Sequence, residues 1–135
     1  MRAIWYFSAS LIIGGLVGGW AWAKQPEPAP TGNIQDFMRV KLKHSQSILE
    51  GLATEDYDKM AKGSQELSLL SLVASWRVLQ TEEYVQHSNE FRRAADALRD
   101  AAKKKNLDGA ALAYVDLTLK CVSCHKYVRS ASETK

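Results

Sequence analysis

The chain has 135 residues, of which 46% are hydrophobic and 24% charged, with two cysteines and a formal charge of +3. That is a single-domain length. With Arg2 set aside, 17 basic side chains face 15 acidic ones, a net of +2, and no Lys/Arg-rich motif with interleaved aromatics occurs, so the composition gives no basis for nucleic-acid binding.

The N-terminus reads MRAIWYFSASLIIGGLVGGWAWAK. One arginine precedes an uncharged apolar stretch, and Ala21-Trp22-Ala23 fits the small-x-small pattern cut by signal peptidase, which predicts a secretory signal over 1–23 with cleavage before Lys24. An uncleaved anchor is the competing reading. The stretch is near the lower limit for a membrane span, and its four glycines are poor helix formers. Either way the remainder is exported, which places it in a periplasmic compartment, in contact with the membrane only if the segment is retained. Residues 24–32 carry three prolines at alternate positions, an extended linker. The folded domain is expected over 33–135, long enough for one modest core.

Beyond Asn33 there is no proline, and apolar residues recur at steps of three and four, the helical period. The first helix is expected over 34–52, with Ile34, Phe37, Met38, Leu42, Ile48, Leu49 and Leu52 as its apolar stripe and Gly51 to Thr54 as the break. A second, over 55–80, starts after an N-cap at Thr54 and holds Trp76 as its large core residue. The third follows Thr81 and runs to three lysines at 103–105, the favourable end for positive charge. The segment 106–109 is the next break, with Asp108 as N-cap, and the fourth helix covers 109–131. Four amphipathic helices with short connections predict an all-α antiparallel four-helix bundle.

Both cysteines fall in Cys121-Val122-Ser123-Cys124-His125. This is the attachment pattern for c-type haem. Positions i, i+3 and i+4 share one helix side, so two thiols reach two vinyl groups while His125 reaches the iron. A disulfide across two intervening residues would close too small a loop to stabilise much. A structural zinc site needs four ligands, and only His125 is near in sequence. A thioredoxin-type C-x-x-C needs a strand–helix context, and none is visible. Tyr114 and Thr118 lie on the side of His125, as haem-pocket or simple packing residues. Arg129, one turn later, would set positive charge near the haem edge, or else cap the helix dipole.

The C-terminal C-x-x-C-H-x-x-x-R, carried by Cys121, Cys124, His125 and Arg129 on the last helix of a bundle, resembles the class II cytochromes c, the cytochrome c′ group. That resemblance covers roughly residues 33–130. It implies one covalent haem c, a one-electron carrier with redox partner proteins, and homodimers through the first two helices. The family's usual aromatic before the arginine is replaced by Val128. Spacing against the family pattern puts Leu42 at the distal position, which implies a five-coordinate iron that binds small gases such as NO and CO. Met38, one turn earlier and nearer the stripe's centre, is the thioether alternative for a sixth ligand, against a space-filling role. His44, at the stripe's edge, is the imidazole alternative.

Three functions follow as expectations: an exported electron carrier, a gas-binding haem protein, and a non-haem helical interaction module whose cysteines form a disulfide. No paired carboxylates, Ser/His/Asp set or phosphate loop stands out, so enzymatic turnover is not expected. The basic groups Arg92-Arg93, Lys103 to Lys105, Lys120 and Lys126 offer an acidic redox partner a guide, or form a solvated face.

Overall fold

The computed structural model describes residues 33–73 and 78–133, and the expectations for the signal segment 1–23, the linker 24–32 and Trp76 fall outside them. Among the described residues there are four helices and no strand, as the periodicity predicts. They are α1 (Ile34–Thr54), α2 (Tyr57–Leu70), α3 (Glu82–Lys103) and α4 (Leu107–Glu133). Each packs along its successor, whereas α1 and α4 meet only sparsely. The arrangement is consistent with a four-helix bundle, left open along one seam.

The helix boundaries follow local chemistry. Asn33 opens α1 by accepting the N–H groups of Gln35 and Asp36 on its side chain. Thr81 opens α3 as expected, accepting from Tyr84 N–H. At the other starts the cap lies elsewhere than expected. Asp56, not Thr54, caps α2 through Lys59 N–H. Asn106, not Asp108, accepts the Gly109 N–H at the head of α4. Gly51 does not break α1. The helix continues to Thr54 and is stopped by Glu55 in the left-handed region at φ 54°, a conformation that costs an L-residue about 1–2 kcal/mol.

Gly51 and Gly63 are where α1 and α2 touch. A Cβ at Gly51 would lie 2.9 Å from Met60 Cγ, and one at Gly63 would lie 2.7 Å from Ile48 Cγ1. Both glycines are buried inside helices, so their missing side chains serve close approach, not a turn. α2 ends at Leu70, ten residues short of the expected end. Ser71 turns its hydroxyl back onto the Ser68 carbonyl at 2.6 Å, the kind of local bond that competes with helix continuation.

The core holds Phe37, Ile48, Met60, Leu67, Phe91, Leu98 and Leu117, with Ala94, Ala95, Ala102 and Ala110 admitting the neighbouring backbones. The C-terminal part of α4 is fixed against the start of α3. Thr81 Oγ1 and Tyr127 OH share a hydrogen bond of 2.6 Å, and the His87 and Tyr127 rings lie 5.4 Å apart. Lower down, Lys120 Nζ reaches Glu90 at 3.4 Å. These contacts set the rotation of the helix that carries both cysteines.

Candidate functional site

The open seam contains an apolar cavity of about 180 Å³. From α4 it is lined by Cys121, Cys124, His125 and Val128. Facing them from α1 are Ile34, Met38 and Lys41, while Tyr84 and Phe91 of α3 form the floor and Val78 an edge. The helical spacing of 121, 124 and 125 thus brings both thiols and the imidazole to one space, and the spacing 34, 38, 41 sets the opposing wall on a single stripe of α1.

Both cysteines are half-buried free thiols, not joined to one another. Burial raises the pKa of each, with the nearby Lys41 charge opposing, so at neutral pH they remain protonated. His125 is pushed the other way, first by partial burial and then by the positive charges of Lys41 and Arg129. Its imidazole is therefore neutral at pH 7, the form that binds a metal. Among the described residues no three His, Cys, Asp or Glu side chains converge as a metal site.

Sequence reasoning missed Val78, Tyr84, Phe91 and Val128 in the lining and, above all, Lys41. Its Nζ sits 4.7 Å from the centroid of the Phe91 ring, a cation–π distance. Burial lowers its pKa from 10.5 to about 8, against the opposing pull of Cys121 and Cys124. A signal was present: Lys41 lies between Met38 and Ile48 on the helical wheel, inside the apolar stripe. Its charge hid it, although a lysine stem covers apolar surface as readily as a leucine does.

Of the other expected site residues, Met38 lines the cavity and is half-buried. Leu42 does not line it; the side chain is 58% exposed, because one step past Lys41 rotates it by about 100°. His44 is half-buried and also absent from the cavity wall; its carbonyl oxygen meets the α2 crossing at Gly63. Tyr114 lies below the cavity and ties the seam shut, its hydroxyl 3.1 Å from Ser45 Oγ and 3.2 Å from the Ser45 carbonyl it donates to. Arg129 is exposed and touches the site only through its charge on His125.

Compared with protein-family models, curated proteins and solved structures, the chain matches none.

The residue types suit a porphyrin: an apolar wall, two protonated thiols and one neutral imidazole. The volume is below the roughly 300 Å³ at which ligand pockets begin, and the Lys41 stem projects into it. Seating a macrocycle requires that stem to swing toward solvent and α1 to move away from α4. The contact between α1 and α4 is sparse, and the Tyr114–Ser45 hydrogen bonds hold its lower end.

Proposed function

We propose that the protein is an exported monohaem c-type cytochrome of the four-helix class that carries single electrons. One observation supports this reading most: Cys121, Cys124 and His125 line the same apolar cavity. The bound haem would supply a ferric/ferrous couple, and the protein would tune it through its axial ligand, burial and nearby charge.

Each thiol would add across one vinyl double bond, its sulfur to one carbon and its proton to the other, so the attachment needs no oxidant. His125, held neutral, would be the proximal ligand. Arg129 would place positive charge near the haem edge and favour the reduced state, with Lys41 adding to it from the solvent side once its stem has swung out. Val128, Phe91 and Tyr84 would limit solvent access to the ring.

Expression in a host with haem-maturation machinery tests the reading. Intact-mass measurement is expected to show one covalently added haem. Cys121→Ala or Cys124→Ala is expected to leave a single thioether, with an altered absorption band of the reduced form, and the double variant is expected to carry no covalent haem. A colourless wild-type protein, or pigment still irreversibly bound in the double variant, sinks the proposal.

The cavity favours a carrier over a gas-binding protein, because the α1 wall presents the Met38 thioether in place of the exposed Leu42. We propose that Met38 would hold the iron from the α1 side. Carbon monoxide added to the reduced wild type is expected to shift the Soret band slowly or not at all, and Met38→Ala is expected to make the shift prompt. A prompt wild-type shift would restore the gas-binding reading.

A further inference from the structure

The outward face of α4 carries an apolar line with its own charge pattern. Leu112 is 73% exposed, Val115 57%, Leu119 57% and Val122 46%. Their spacing alternates three and four, the seam of a coiled coil rather than scattered surface residues. Among the described residues no helix is apolar enough to cross a membrane, so a lipid-spanning role does not account for it. The same heptad line continues to Asp108 at the head of α4 and to Lys126 near its end, both exposed.

This line is palindromic about the level of Leu117. Val115 and Leu119 stand two residues to either side, Leu112 and Val122 five, and Asp108 and Lys126 nine. Laid against itself in the opposite direction, the helix pairs Val115 with Leu119, Leu112 with Val122, and Asp108 with Lys126, each pair occurring twice. Antiparallel coiled coils join their two seam positions in this crosswise way, and a two-fold axis demands a self-complementary patch. Laid parallel, the same helix would set Asp108 on Asp108 and Lys126 on Lys126. The end charges therefore select one orientation as well as one kind of partner.

We propose that the protein forms a homodimer through antiparallel pairing of α4 with α4 of a second copy, over the stretch from Asp108 to Lys126. At 1.5 Å per residue the seam is about 27 Å long. It lies on the side of α4 away from the buried Leu117 and the half-buried Cys124 and Val128, so the dimer leaves the cavity of each copy accessible. The pairing is independent of the cofactor reading, since it uses none of the cavity residues.

Sedimentation equilibrium of the exported protein tests it, with circular dichroism to confirm that each variant is folded. The wild type is expected to be a dimer at about 0.1 mM. Leu119→Glu places a charge in the seam twice per dimer and is expected to weaken association about a hundredfold or more. Asp108→Lys alone is expected to weaken it by a few fold, as exposed charge pairs do, and Asp108→Lys with Lys126→Asp is expected to restore wild-type association. A wild-type monomer across this range overturns the proposal, whether or not the protein then captures a different partner. So does a dimer that survives Leu119→Glu, or a charge swap that fails to restore what the single reversal removed.

Discussion

Gly63→Val is expected to destabilise the fold by about 3 kcal/mol, at the upper range for overpacked cores. The added Cβ would meet Ile48 Cγ1 at 2.7 Å and the His44 carbonyl at 3.2 Å. Neither neighbour gives way easily. Ile48 is fully buried and stiff at χ1, and the carbonyl is helix backbone. A valine also adds two methyl groups beyond the Cβ. For a domain of about a hundred residues this corresponds to roughly 12–24 °C in Tm, measured by thermal unfolding. Alanine adds the same Cβ without those methyl groups and gains about 1 kcal/mol of helix propensity over glycine, so Gly63→Ala is expected to cost less than valine while remaining destabilising. Combining Gly63→Val with Ile48→Ala should recover part of the loss, because the methyl groups then share one space. Equal losses in the single and double variants would show that the two residues do not compete.

The same position shows what the sequence conveyed and what it did not. Apolar periodicity was enough for four helices, since the 3.6-residue pattern is a direct consequence of burying one face. It placed the ends of α1 and α3 within about two residues of those observed, which is ordinary for helix termini. Glycine was the weak point. Gly51 reads as a turn when only local propensity is weighed, yet it lies inside α1 because α2 crosses there. Whether a glycine ends a helix or admits a neighbour depends on a partner far along the chain. The caps failed in a similar way: Thr54, Asp56, Asn106 and Asp108 are all competent capping residues, and the choice among them was settled by packing of the connected helices.

At the candidate site, Cys121, Cys124 and His125 were legible because they lie within five positions on one helix, where spacing alone fixes direction. The opposing wall was not. It depends on how α1 is rotated against α4, and a shift of one residue turns a side chain by about 100°. That single step exchanges Leu42 for Lys41. Spacing against the family pattern pointed to leucine. The wheel position of residue 41, between Met38 and Ile48, pointed to lysine, and the geometry agrees with the wheel.

Lys41 should therefore leave a signature in stability against pH. The clearest measurement uses the haem-free Cys121→Ser/Cys124→Ser chain. The thiols must be removed because their raised pKa values act oppositely: above pH 9 the unfolded thiols would ionise first and stability would fall. Burial lowers the Lys41 pKa from 10.5 to about 8. Below pH 8 the amine is protonated in both states, and the folded state carries the full penalty of a partly desolvated charge. Between about pH 8 and 10.5 the unfolded chain holds a proton that the folded chain has released, so stability rises with pH. A shift of this size corresponds to about 3 kcal/mol. Urea unfolding at pH 7 and pH 10 is expected to show a rise of about 2–3 kcal/mol at the higher pH, set against any loss from other groups by the matching Lys41→Met chain. That variant is expected to be more stable than its parent at pH 7 by a similar amount and to lack the rise. Parallel pH profiles for the two chains would mean that the Lys41 ammonium is solvated outside the cavity in the haem-free chain, against the burial that lowers its pKa.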